Sequence, residues 1–261
     1  MPASRSPKRL PWLQPSDDFP PVSQAWGEGD DAPGLLAAGA DLRVETLKTA
    51  YAQGIFPWFS EGQPILWWSP DPRMVLPVAE FRLHRSLRKA LQAFLQTPGY
   101  EIRINHDFAA VIAACANTPR EGQGGTWILP EMQAAYLALH RAGHAHSIET
   151  WMGGKLIGGL YCTAIGQAVF GESMFAHQTN ASKFALCALV ALCRAQGIEM
   201  IDCQQNTAHL ASLGAREMPR EAFCTIVNEA SRQQALPWPA QLNAQSVEWK
   251  LLDSRLPHSF P

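Results

Sequence analysis

Between His144 and Cys203 the chain runs through three strands, a long apolar helix and one further strand, and few folds accommodate that order. His144 to Met152, Lys155 to Ala164 and Gln167 to Ser173 read as strands, separated by Gly153-Gly154 and Ile165-Gly166. Turns this short join antiparallel neighbours, so the three predict a meander. Asn180 is placed to cap a helix over Ala181 to Gln196 that stops at Gly197, and Ile198 to Cys203 returns as a buried strand. Strand, long helix and strand in succession imply a right-handed crossover.

The rest of the chain surrounds that unit with helices. Val44 to Gln53 has helical character and stops at Gly54, while Phe108 to Ala116, Glu131 to Arg141 and Arg220 to Ser231 are further helices. Leu83, Leu87, Leu91, Phe94 and Leu95 share one helical face, with Arg85, Arg88 and Lys89 on another. Tyr100 to Asn105 alternates like a strand. Residues 1–43 read as an irregular lead-in, and Gly54 to Arg73 as an aromatic, loop-rich region in which each residue before a proline is pushed toward extended backbone. With 261 residues, 47% of them hydrophobic and 17% charged against roughly 25% in an ordinary soluble domain, the chain is expected to fold by itself. Its six cysteines contain no C-x-x-C pair and read as buried thiols.

Charge and motifs exclude several functions. A net charge of −2 provides no global positive field, so any nucleic acid must be held by a local patch. Phe184 to Cys193, the longest apolar run, has ten residues where a bilayer needs roughly 20. The N-terminus lacks the apolar stretch of a signal peptide, and a cytoplasmic protein is expected. Gly153-Gly154-Lys155 is a hairpin turn rather than a phosphate loop, so ATP is not expected. His144 and His146 lie two apart on a strand, but no third ligand stands at a recognisable spacing, and no metal site is expected.

Four groups could carry chemistry. In a regular strand Asp202 and Gln204 share a face, which would present a carboxylate and an amide together; Asp202 capping the following turn is the plainer account. Glu172, near the end of an apolar strand, needs a partner and could bind an amine, or it could form an ion pair within the core. Arg82, His84, Arg85, Arg88 and Lys89 form the densest basic cluster, either a solvated helix face or a seat for phosphates. Trp58, Trp67 and Trp68 could stack a nucleobase or fill a small core.

Read in order, Gly54-Ile55-Phe56-Pro57-Trp58-Phe59, Trp67-Trp68-Ser69-Pro70-Asp71-Pro72-Arg73, Gly125-Thr126-Trp127-Ile128, Gly143-His144-Ala145-His146-Ser147-Ile148-Glu149, Gly171-Glu172-Ser173-Met174-Phe175 and Ile201-Asp202-Cys203-Gln204 resemble the leucyl/phenylalanyl-tRNA–protein transferases. The likeness spans about residues 34–230. It implies an α+β fold, with a small N-terminal domain (1–71) and a larger N-acetyltransferase-like domain (72–261) whose mixed, mainly antiparallel sheet is flanked by helices. It further implies transfer of leucine or phenylalanine, and sometimes methionine, from aminoacyl-tRNA to proteins beginning with arginine or lysine, which marks them for the N-degron pathway. The resemblance assigns catalysis to Asp202 and Gln204 and the acceptor amine to Glu172. It places Trp58 and Trp127 beside the aminoacyl-adenosine and Leu160 and Phe175 in the side-chain pocket. Arg82, Arg85, Arg88 and Lys89 would then contact tRNA, with no cofactor, ATP or coenzyme A.

Two rivals make different demands. An acyl-CoA-dependent N-acetyltransferase needs a glycine-rich turn for pyrophosphate, and Met174 to Asn180 contains no glycine. A non-catalytic adaptor for tRNA or basic N-termini would bind without transferring.

Overall fold

The computed structural model describes residues 9–118 and 128–238, which build two sheets. The chain enters through β1 (Trp12–Leu13) and β2 (Leu35–Gly39), followed by α1 (Val44–Ala52), β3 (Phe56–Pro57) and β4 (Leu66–Trp68). These strands form a four-stranded sheet in the order β1-β2-β4-β3. The lead-in and the aromatic region are therefore more regular than their composition suggests. Tertiary pairing overrides the weak local signal: Phe56 and Pro57 pair with Trp68 and Trp67, and the fully buried Trp67 donates its indole N–H to the Gly39 carbonyl at 2.9 Å.

A seven-stranded sheet follows. Its elements are β5 (Arg73–Pro77), α2 (Arg85–Gln96), β6 (Tyr100–Ile104), α3 (Phe108–Asn117), α4 (Pro130–Arg141), β7 (Ala145–Met152), β8 (Lys155–Ile165), β9 (Ala168–Ala176), α5 (Ala181–Ala195), β10 (Met200–Gln204), α6 (Ala208–Ser212), β11 (Arg216–Met218) and α7 (Arg220–Ser231). The strand order is β11-β5-β10-β9-β8-β7-β6. Neighbours β7, β8 and β9 are antiparallel as the tight turns require, and β9 and β10, joined through α5, are parallel. The fold is α+β, with a mainly antiparallel sheet flanked by helices.

Alternation along the strands separates two cores. Tyr161 and Phe170 face a cluster that also takes Leu36, Leu47, Tyr51 and Trp67 from the N-terminal part, together with Phe108, Tyr136 and Phe223 from the helices. Leu160, Cys162 and Val169 face the other side, against Leu87, Leu91 and Phe94 of α2 and the apolar run of α5. Helix α5 approaches β8 closely at Gly158, where a Cβ would lie 2.4 Å from that of Ala181. Asn180 precedes this helix in a left-handed conformation (φ 68°) and makes no capping bond through its side chain, contrary to the cap expected there. Among the described residues no helix is long and apolar enough to cross a membrane.

Candidate active site

Two bulges open the sheet where its parallel neighbours part. Strands β9 and β10 align only at Ile201 with Val169 and Asp202 with Phe170. On β9 the pairing with β8 steps from Ser173 opposite Tyr161 to Gly171 opposite Cys162, leaving Glu172 as the extra residue. On β10 the pairing with β5 steps from Asp202 opposite Val75 to Gln204 opposite Met74, leaving Cys203 extra and Gln204 left-handed at φ 62°. A bulge redirects side chains and strengthens local twist. Both therefore turn polar groups toward one opening.

That opening is a cavity of about 400 Å³. Leu76, Leu160, Met174, Leu186, Leu189 and Ile201 give it apolar walls, and Phe56, Pro57 and Trp58 bring a wall from the N-terminal part. Thr207, His209 and Leu210 close another side. Glu172, Ser173, Gln204 and Gln205 add polar groups to its lining, and the Gln204 amide donates to Glu172 Oε2 at 3.4 Å. Tyr136 donates to the same oxygen at 3.2 Å, and its hydroxyl shares a short hydrogen bond with that of Tyr51. Glu172 Oε1 is buried and accepts no hydrogen bond within normal geometry among the described residues. Burial pushes the Glu172 carboxyl up to about 7, with hydrogen bonds from Tyr51, Gln204 and Tyr136 opposing the rise and the Asp202 charge adding to it. The Tyr51 and Tyr136 phenols are raised by burial and by the Glu172 charge.

Asp202 lies behind this wall rather than in it, which corrects the shared face expected for Asp202 and Gln204. Ile201 points into the cavity, so Asp202 points to the opposite face; the bulge at Cys203 then breaks the period of two and brings Gln204 back to the cavity side. The Asp202 carboxylate is 1% exposed and takes two bonds from Arg73, Nε to Oδ1 at 2.8 Å and Nη2 to Oδ2 at 2.7 Å. Its Oδ1 also accepts the Gln204 backbone N–H at 2.8 Å.

The other expected residues divide. Trp58 and Leu160 line the cavity. Phe175 does not: the bulge at Glu172 shifts the phase of β9, so Met174 faces the cavity while Phe175 joins the core around Tyr136 and Tyr161. Strand β9 also continues to Ala176, which places Glu172 within the strand rather than at its close. Trp127 lies outside the described residues. Trp68 packs edge-on against Trp58, with centroids 5.4 Å apart, and donates its indole N–H to the Trp58 carbonyl at 2.6 Å. Arg82, Arg85, Arg88 and Lys89 are exposed, and α2 is tied to the cavity's flank by His84, which bonds the Ser212 carbonyl at the end of α6. His146 is buried against the Trp238 ring and bonded to Asn105, and burial lowers it to about 3.

Arg73, Tyr51 and Tyr136 are the site residues the one-dimensional reading missed. A signal existed for the first: Arg73 opens an apolar run, Met74-Val75-Leu76, and Asp202 interrupts another, so each needed an opposite charge.

Residues 75–228 match the family model described as leucyl/phenylalanyl-tRNA protein transferase, and residues 40–71 match the model for that family's N-terminal domain. The chain belongs to the leucyl/phenylalanyl-tRNA–protein transferase family. The transferase of Albidiferax ferrireducens is 64% identical over 220 residues, covering 84% of this chain and 87% of its own length. That of a Polaromonas species is 59% identical over 244 residues, 94% of each chain, and that of Burkholderia vietnamiensis is 58% identical over 229, 88% of this chain and 90% of its own. Membership of this transferase family makes the chain an aminoacyltransferase, with aminoacyl-tRNA and protein as its substrates.

Proposed function

We propose that the chain moves leucine or phenylalanine, and less readily methionine, from aminoacyl-tRNA to the α-amine of proteins that begin with arginine or lysine, marking them for N-degron degradation. The observation that carries this reading is the 400 Å³ cavity, lined mainly by apolar side chains and holding one carboxylate, Glu172, with the amide residues Gln204 and Gln205 beside it. Its walls suit an apolar side chain that is unbranched at Cβ. Such a pocket separates neighbouring side chains by only about 1–3 kcal/mol per methylene, so methionine is admitted at a lower rate.

The ester of aminoacyl-tRNA is already activated, and the protein's main task is placement. Glu172 holds the cationic end of the acceptor, and Trp58 flanks the terminal adenosine. The Gln204 carbonyl orients the neutral α-amine as it attacks the ester carbon, and its N–H groups can turn to the developing oxyanion. Collapse of the adduct forms the peptide bond, and the proton lost by the amine leaves on the ribose oxygen. Asp202 contributes by fixing Gln204.

Radiolabelled leucyl-tRNA incubated with a peptide beginning with arginine is expected to label that peptide and not one beginning with alanine. No label on either, with tRNA still bound, would favour the adaptor reading. Turnover of acetyl-CoA would favour the acetyltransferase, although the β9–α5 connection has no glycine to admit a pyrophosphate. For the exposed face of α2, Arg85→Ala and Lys89→Ala are each expected to weaken tRNA binding and reduce its salt slope by about 1. A slope equal to wild type would make that face merely solvated.

A further inference from the structure

We infer that Arg73 is a positioning residue of this site: by gripping Asp202 it fixes the backbone of Gln204 and so aims the Gln204 amide across the cavity mouth at Glu172. The inference rests on reading the cavity as the place of transfer, but the grip itself can be measured without transfer. Arg73 touches neither the cavity nor its polar edge; its effect passes through a neighbour.

Three observations carry it. First, Arg73 is fully buried and its donors are used in different directions. Nε and Nη2 form a two-pronged grip on Asp202, while Nη1 reaches the Gly54 carbonyl at 3.2 Å, just ahead of the Phe56 to Trp58 wall. Its guanidinium also faces the rings of Phe56 and Phe223, at 4.7 and 4.6 Å. A planar fork suits these simultaneous demands, whereas an ammonium cannot reproduce them.

Second, the gripped carboxylate has a further use. Asp202 Oδ1 takes the Gln204 N–H across the bulge, two residues on. Third, Gln204 stands at φ 62°, a region that residues with a side chain seldom occupy, so local contacts must hold it there. Free of Arg73, the Asp202 side chain could turn, and the bulge would lose the acceptor that sets its geometry. A purely stabilising ion pair does not account for this arrangement, because apolar residues of similar volume commonly stabilise a core as well.

The test uses the full chain with Arg73→Lys, Gln204→Ala, the double variant and Asp202→Asn. Lysine keeps a buried cation beside Asp202 but lacks the fork; Asp202→Asn weakens the same grip from the other side should Arg73→Lys fold poorly. Amide hydrogen exchange at residues 203–205 is expected to quicken about tenfold in Arg73→Lys and in Asp202→Asn, beyond any change in the remainder of the sheet. Transfer at saturating substrates is expected to fall about 10- to 100-fold in Arg73→Lys, with KM for the charged tRNA within about threefold of wild type. In the Gln204→Ala background, Arg73→Lys is expected to cost less than about twofold more, because the group it aims is gone. Unchanged exchange at 203–205 in both variants overturns the inference, as does an equal fold loss with and without Gln204. Quickened exchange in a protein whose wild type transfers no leucine would uphold the positioning and defeat the functional reading instead.

Discussion

Asp202→Ala is expected to lose about 3–5 kcal/mol of folding stability, seen as a lower midpoint in urea unfolding, because it leaves a buried cation without its counter-charge. The Arg73 guanidinium is fully buried between the rings of Phe56 and Phe223, and among the described residues its other hydrogen bond goes to the Gly54 carbonyl. Arg73→Met should cost a similar amount for the mirror-image reason. Removing both charges together, as Arg73→Met with Asp202→Leu, is expected to recover most of the lost stability while transfer stays low. That contrast separates two meanings of an inactive Asp202→Ala protein. Loss of folded protein raises the denaturant sensitivity of every property, whereas loss of the Gln204 anchor lowers transfer even in the restabilised double variant. An Asp202→Ala protein that unfolds at the wild-type urea concentration would show that the pair contributes nothing to the fold.

The elements that sequence patterning identified are those whose signal is local. Helix α7 coincides with the expected Arg220 to Ser231, and the meander follows from Gly153-Gly154 and Ile165-Gly166. The small sheet was not legible: β1 and β3 have two residues each, too short for any period, and exist only because β2 and β4 pair with them. At the site, Glu172 and Gln204 were found as residue types, but their geometry was not. Period-two reasoning assumes an unbroken ladder, and each strand carries an inserted residue at the point that matters, Glu172 on β9 and Cys203 on β10. The slip turned Phe175 out of the pocket and Met174 into it, and it separated Asp202 from Gln204. Partners 129 residues apart, such as Arg73 and Asp202, leave no trace in spacing at all.

Glu172→Gln is expected to remove a pH dependence that acts in opposite directions on folding and on acceptor binding. The carboxyl stands near 7 in the folded protein against 4.5 without the fold. Between those values the native state holds a proton that the unfolded chain has released, so stability falls as pH rises. The contribution is fully present below about pH 4.5 and is lost as pH passes through about 7, amounting to about 3 kcal/mol. Urea unfolding at intervals from pH 5 to 8 should therefore show wild type weakening relative to Glu172→Gln by about that amount. Parallel curves would mean that Glu172 does not titrate in this range. Acceptor binding should run the other way, since only the ionised carboxylate attracts the cationic side chain of an N-terminal arginine, and the fall in KM for an arginine-starting peptide as pH rises through about 7 in wild type should be absent in Glu172→Gln. Among the described residues the buried Oε1 accepts no hydrogen bond within normal geometry. An incoming cation would place a counter-charge beside it, so binding should itself draw the carboxyl back toward its ordinary range.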